Sequence, residues 1–262
     1  MLKTIKNAFK TPEIRKKILY TLLLLVIFRL GCYITIPGVD IVTLESSMDA
    51  YSNSVTGMIN MISGGAFSRL SIFAMSITPY ITASIVIQLL GMIIPALERL
   101  TKEGGEEGRK KIDRYTKIIT LILALIEGLG IYLSYRSSGI FVDESALTGV
   151  IVVVSLMAGT SLLMRLGDKI TSKGIGNGIS MLIFAGIVSS LPSGVVGVAS
   201  GIIVDGQFST TGLLTAIGIL IGVLVLITGV VFVQLAERRI PVQYSKKVVG
   251  RRMVGAQNTH IP

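Results

Sequence analysis

The sequence predicts an all-α fold, a polytopic helical membrane protein with six transmembrane helices. Three observations predict it. Of its 262 residues, 51% are hydrophobic and 15% charged, with a mean hydropathy of +0.74, against roughly 25% charged residues in soluble domains. Six stretches with one charge or none approach or exceed the roughly 20 residues that cross a hydrocarbon core about 30 Å thick at helical rise. Lysines and arginines gather in alternate connections between those stretches, as positively charged loops held on the cytoplasmic side do.

The stretches are residues 18–36, 72–97, 118–135, 147–164, 175–191 and 213–235. Within lipid a segment must satisfy its own backbone hydrogen bonds, and these are too long and uniformly apolar for the alternating strands of a barrel. The first is not a cleaved signal peptide: it ends in Ile36-Pro37-Gly38 without a small-residue cleavage pattern. With six spans the connections fall into two sets. One holds Lys3, Lys6, Lys10, Arg15, Lys16 and Lys17, then seven basic residues from Arg99 to Lys117, then Arg165, Lys169 and Lys173, and six from Arg238 to Arg252. The other holds Arg69 and Arg136, together with Asp40, Glu45, Asp49, Asp143, Glu144 and Asp205. Both termini are therefore expected in the cytoplasm. Topology alone accounts for most of the net charge of +10, without any need for a nucleic-acid partner.

Four irregularities interrupt this pattern. Residues 57–70 are partly apolar but broken by Ser63, Gly64, Gly65 and Ser68 and closed by Arg69. That is too short to cross a bilayer and reads either as a re-entrant half-helix, tolerated where protein or water surrounds it, or as an amphipathic surface helix. Pro79, inside the second stretch, predicts a kink around residues 76–82. The run Gly174-Ile175-Gly176-Asn177-Gly178-Ile179 lacks the spacing of a phosphate or dinucleotide loop. It reads as a close turn into the fifth helix or as small residues for helix contact. Arg29 and Glu127 lie near the middle of their spans, where a charge is costly. They would neutralise each other if the first and third helices are neighbours; otherwise Arg29 snorkels or faces water, or the two serve transport.

Chemistry finds little support. One Cys, Cys32, and one His, His260, exclude an intramolecular disulfide framework, a multi-Cys or multi-His metal site and paired-histidine zinc catalysis. Ser-His-Asp catalysis would need its histidine near the membrane site. Cys32 reads as a small buried hydrophobe. No catalytic residue, cofactor or metal is expected, and the chain is not read as an enzyme.

Several stretches together resemble one family. They are Phe28-Arg29-Leu30-Gly31 with Ile36-Pro37-Gly38, Ser63-Gly64-Gly65-Ala66 with Ser71-Ile72-Phe73-Ala74, Thr78-Pro79-Tyr80-Ile81-Thr82-Ala83-Ser84-Ile85 with Gln88-Leu89-Leu90, and Gly108-Arg109-Lys110-Lys111. Gly174 to Ser180 with Ile183 to Val188, Gly250-Arg251-Arg252, and Gln257 to Pro262 complete the set. In this order they resemble SecY, the family of pore subunits of the bacterial protein-conducting channel. The resemblance implies a SecY-type channel fold in which residues 57–70 form a plug helix, carried here by Asn60, Met61, Ile62, Ser63, Gly64, Gly65, Ala66, Phe67, Ser68 and Arg69. It implies a pore ring of aliphatic side chains at Ile77, Ile81, Ile179 and Ile183. Such a collar excludes water and ions by dewetting and holds no charge against a passing peptide. Thr82, Ile85, Gln88 and Leu89 match one wall of a lateral gate toward lipid. Arg238, Arg239, Lys246, Lys247, Arg251 and Arg252 match a loop that docks the ribosome or the SecA motor ATPase; phosphate neutralisation suits ribosomal RNA, and an ordinary positive-inside loop is the alternative.

The implied partners are SecE and SecG, SecA, the ribosome through its RNA, a nascent or secretory polypeptide with its signal sequence, and membrane lipid. The implied location is the bacterial cytoplasmic membrane, multi-pass, with the N-terminus in the cytoplasm. Family members carry ten spans in two five-helix halves. By that count residues 1–204 make the N-terminal half with its plug, and residues 205–262 the sixth helix and a basic loop that start an incomplete second half. The chain is thus expected to be a fragment or one piece of a split subunit. The competing reading is a secondary transporter for a small solute, which would want polar ligands at the midplane where the matched positions are isoleucines. A third is an inert structural half-bundle.

Overall fold

The computed structural model describes residues 11–50, 55–143, 145–204 and 207–236, and the strand segments 240–243, 247–249, 252–254 and 258–261. Helices dominate. Among the described residues they are α1 (Pro12–Gly31), α2 (Ile41–Ala50), α3 (Val55–Ile62), α4 (Thr78–Ile93), α5 (Pro95–Lys102), α6 (Gly105–Arg136), α7 (Ala146–Lys173), α8 (Gly178–Ile202) and α9 (Thr210–Gln234). The all-α expectation gains short antiparallel ladders: β1 (Ile203–Val204) with β2 (Gln207–Phe208), β3 (Ile240–Gln243) with β6 (Asn258–Ile261), and β4 (Lys247–Val249) with β5 (Arg252–Val254). The chain divides into two compact units, Met1–Ser193 and Gly194–Pro262.

Four of these helices, α6 to α9, are long and apolar enough to cross a membrane. The bent pair α4 and α5 makes a fifth if counted as one span. Not among these is α1, which holds most of the first apolar stretch; it ends at Gly31 rather than residue 36 and carries Arg15, Lys16, Lys17 and Arg29. Its end has a tertiary cause. A Cβ at Gly31 would overlap the Phe73 ring, and the chain beyond turns to pair Thr35 with Ser71 in an isolated antiparallel bridge.

The second apolar stretch also divides. Residues 71–77 form a bridge and turns, and α4 begins only at Thr78, with Pro79 in its first turn. There the missing N–H is one that no helix would satisfy anyway, and the fixed φ suits the start. Pro79 thus opens the helix instead of kinking it. The sharp bend comes later, 104° between α4 and α5. Pro95 drives Ile94 into an extended conformation at φ −94° and ψ 112°.

In the first unit α7 is the central element. Its buried face runs through Thr148, Gly149, Val152, Leu156, Gly159, Thr160, Leu163, Gly167 and Ile170. Small residues on this stripe let neighbours approach closely. Gly149 lies under the Tyr132 ring, Gly159 under the Ile72 carbonyl and Gly167 under Ile179. From α6, Thr116, Thr120, Ala124, Gly128 and Tyr132 repeat every fourth residue on its buried side, a ridge of one helix face. Outside the apolar stretches, Lys117 of α6 places Nζ 2.7 Å from a carboxylate oxygen of Asp113 and 2.7 Å from one of Asp168 on α7. Partial burial presses its pKa down, but the hydrogen bonds it donates to both carboxylates, with their charge, outweigh this and hold it above the ordinary lysine value.

Candidate functional site

Of the residues that interrupted the periodic pattern, the 57–70 segment meets Arg29 of α1 and the residues Gly186 and Ser190 of α8. After α3, the chain stops being helical at Ile62, so the expected plug helix over 57–70 is helical only in its first part. Gly64 (φ 66°) and Gly65 (φ 83°) end it in the left-handed region, and Gly65 N–H donates to the Asn60 carbonyl at 2.9 Å, a glycine-terminated helix end. Gly64 is required a second time for space. A Cβ there would meet the Ser189 hydroxyl, an Arg29 guanidinium nitrogen and the Gly186 carbonyl, all within 2.9 Å.

The turn that follows is held by its own polar atoms. Asn60 Oδ1 accepts from Ser68 N–H at 2.9 Å, and Ser63 Oγ donates to the Asn60 carbonyl while accepting from Phe67 N–H. Ser63, Gly64, Ala66 and Phe67 are buried, Asn60, Gly65, Ser68 and Arg69 half-buried, and Met61 and Ile62 exposed. The segment and the residues just after it are tied to the chain that follows α1 by Ile36 N–H to the Leu70 carbonyl and Ile72 N–H to the Ile34 carbonyl. It is tied to α8 by the Ser190 hydroxyl, which donates to the Met61 carbonyl at 3.3 Å, and by close approach of Ile62 to Gly186. The segment thus combines a helix end with exposed Met61 and Ile62 and a turn buried within the protein.

Arg29 donates from Nη1 to the Gly64 carbonyl, and of the alternatives left open for it the pairing with Glu127 is not made. Glu127 instead lines a separate cavity of about 500 Å³ with Ile59, Phe67, Met75, Thr78, Ser134 and others. No signal in the sequence could have chosen a backbone carbonyl 35 residues away as the partner.

The four matched isoleucines meet in one apolar cluster. Ile77 is 2% exposed, and the half-buried Ile81, Ile179 and Ile183 pack against the same group, which includes Leu24, Phe28, Ala66, Phe73 and Leu182. Ile77 is the N-cap of α4, and its carbonyl accepts from Ile81 N–H at 3.1 Å, so the two stand one helical turn apart at the start of the helix. On the other side of α4, Thr82, Ile85, Gln88 and Leu89 are all exposed while Pro79, Ala83 and Ile87 are buried. The four gate candidates thus form one face that the described chain does not cover.

The glycine run proves to be a close turn between α7 and α8. Gly176 has φ 70°, and Gly178 lies against the Gly167 carbonyl. Asn177 Oδ1 caps α8 by accepting from Ile179 and Ser180 N–H at 3.0 and 3.3 Å. Two residues that sequence reasoning missed complete it: Thr21 Oγ1 accepts from Ile175 N–H at 3.1 Å and Thr171 Oγ1 from Gly178 N–H at 2.8 Å. Of the basic loop, Arg238, Arg239, Lys246 and Arg251 lie outside the described residues, while Lys247 opens β4 and Arg252 opens β5. Among the described residues no group of three or more His, Cys, Asp or Glu is placed to hold a metal.

Comparison with known proteins gives a consistent result. The SecY family model matches residues 71–262. The protein translocase subunit SecY of Streptomyces scabiei is 43% identical over 274 residues, and that of Staphylococcus aureus 40% identical over 266. Each comparison takes in the whole of this chain and 61% of the relative, so the chain spans about three-fifths of their length. Among solved structures, one described as a protein conducting channel aligns with a TM-score of 0.61 at 19% identity, over 97% of this chain and 57% of the other. Sec61 in the canine ribosome-channel complex aligns with a TM-score of 0.61 at 19% identity, over 90% and 54% respectively. The fold is that of these channels, the apolar helices make it a multi-pass membrane protein, and the chain belongs to the SecY family.

Proposed function

We propose that the protein is the central, non-enzymatic subunit of a protein-conducting channel in the bacterial cytoplasmic membrane. It would pass unfolded secretory polypeptides across and release membrane segments into lipid. The observation that carries this reading is the meeting of Ile77, Ile81, Ile179 and Ile183 in one apolar cluster with Ala66 and Phe73 of the buried turn. A collar of branched aliphatic groups from two helices, stoppered by a segment between them, seals against ions by dewetting and yields to a chain without a charge to hold it. In this reading residues 57–70 are the plug, and the exposed face of Thr82, Ile85, Gln88 and Leu89 is one wall of the lateral gate.

The same reading counts six spans with both termini cytoplasmic, taking α1 and the α4–α5 pair as spans, and divides residues 1–204 from 205–262 as two halves of the family repeat. Arg238, Arg239, Lys246, Lys247, Arg251 and Arg252 would dock SecA or the ribosome, and SecE and SecG would stand alongside. The ribosome as partner draws support from the neighbour described as a ribosome-channel complex. A photo-crosslinker at Ile81 or Ile183, in the protein engaged with a stalled secretory chain, tests the assignment. Adducts to the chain at both positions are expected; adducts confined to other positions would refute it.

A further inference from the structure

Between α1 and the buried turn lies a cavity of about 110 Å³ lined by Arg29, Cys32, Tyr33, Gly64, Gly65, Ser68 and Arg69. It holds two guanidinium groups and no carboxylate. Arg29 and Arg69 both face the ring of Tyr33, with guanidinium carbons 5.4 and 4.5 Å from its centroid. The two cations can be no farther apart than the sum of those distances. Arg29 spends one N–H on the Gly64 carbonyl; among the described residues neither arginine forms an ion pair. Both are half-buried, so water screens their mutual repulsion only in part. The π-face attracts both cations but neutralises neither.

From this arrangement we infer that the Arg29–Tyr33–Arg69 cavity is a binding site for a compact oxyanion of the phosphate class, either free or as the headgroup of an anionic phospholipid. Two guanidinium groups lining one small cavity suit an oxyanion, since a guanidinium can present parallel N–H donors to it. The volume admits a headgroup-sized anion, with acyl chains left outside. A bound anion would link α1 to the turn through both arginines and add to the hydrogen bond that Arg29 already makes to Gly64. The inference rests on these contacts and not on the channel reading.

The test uses the purified protein in zwitterionic detergent, stripped of lipid, at constant ionic strength set with chloride. One arm titrates inorganic phosphate and follows thermal unfolding together with phosphorus NMR line broadening. The other adds phosphatidylglycerol or phosphatidylcholine and counts bound lipid by native mass spectrometry. Saturable binding of phosphate identifies a free anion, and saturable binding of phosphatidylglycerol over phosphatidylcholine identifies a headgroup. In either case Arg69→Gln should weaken it by about tenfold or more, Arg69→Lys by less, and a Lys110→Gln/Lys111→Gln control not at all. Arg69 makes no described hydrogen bond to the turn, so its variant remains informative if Arg29→Gln fails to fold. Absence of saturable binding from both sources would overturn the site, as would binding that survives Arg69→Gln or is lost in the lysine control.

Discussion

Helices α7 and α9 are both apolar enough to span a membrane, yet half of the most apolar window of α7 is buried within the protein and none of that of α9 is. The more apolar of the two is α9. Its leucines, isoleucines and valines are those of a segment dissolved in hydrocarbon, where further apolar surface gains nothing from contact with another helix. Contact has to come from close approach, and α7 shows how: glycines and threonines at positions 148, 149, 159, 160 and 167 let Tyr132, the Ile72 carbonyl and Ile179 reach its backbone. Hydropathy therefore reports compatibility with lipid, and small residues report where neighbours sit.

The sharpest probe of that contrast is a leucine placed on each helix. Gly159→Leu drives a side chain into the Ile72 carbonyl and should cost about 3 kcal/mol or more, read as unfolding in detergent. Gly222→Leu on α9 meets open space and should cost nothing, with a gain of up to about 1 kcal/mol from helix propensity. Equal losses at the two sites would mean that α9 has a close partner too.

Polar contacts that seat the glycine turn beside α7 should matter less than its glycines. Thr21→Val leaves the Ile175 N–H without its acceptor, an expected loss of about 1 to 2 kcal/mol with faster amide exchange at Ile175. Asn177→Ala removes the cap of α8 and should cost about 1 kcal/mol, visible as fraying of the first turn. If neither moves exchange in the turn, its geometry is set by the glycines alone.

The smallest effect is expected from the ion cluster joining α6 and α7. Lys117→Gln should cost about 0.5 kcal/mol and less at high salt, with coupling to Asp113 and Asp168 measured by a double-mutant cycle. Its folded pKa is raised, so the contribution is complete below the unfolded lysine value of about 10.4 and lost as pH rises through the higher folded value. Asp40, outside the spans, is held below its ordinary value by hydrogen bonds from the Thr43 hydroxyl and the Val42 N–H. That contribution is present above about pH 3.9 and fades as pH falls through the depressed folded value.

Residues 118–135, 147–164, 175–191 and 213–235 lie almost entirely within α6, α7, α8 and α9 because a long apolar run has one hydrogen-bonded solution in lipid. Residues 72–97 misled for a related reason. The run is uncharged throughout, but residues 73–77 are buried in protein and Ile72 half-buried, and N–H groups here donate to Ile34, Ser71 and Phe73 in turns instead of a helix. Nothing in composition separates burial in protein from burial in lipid. Pro79 was visible as a breaker while Pro95 went unremarked, and only the tertiary context makes the first an opening residue and places the second at a 104° bend.

Periodicity and charge thus settle membrane residence, the positions of the long helices and the asymmetry of the loops, because each depends on local transfer energies and chain length. The candidate pore isoleucines were legible through family resemblance, and their meeting in one cluster required the folded chain, since Ile77 ends the turns over 71–77 and Ile179 follows the glycine turn about 100 residues later. The partners of Arg29 and Thr21 belong wholly to the folded state. A guanidinium or hydroxyl in a helix states a need for a partner, but a backbone carbonyl or amide that answers it carries no side-chain signature.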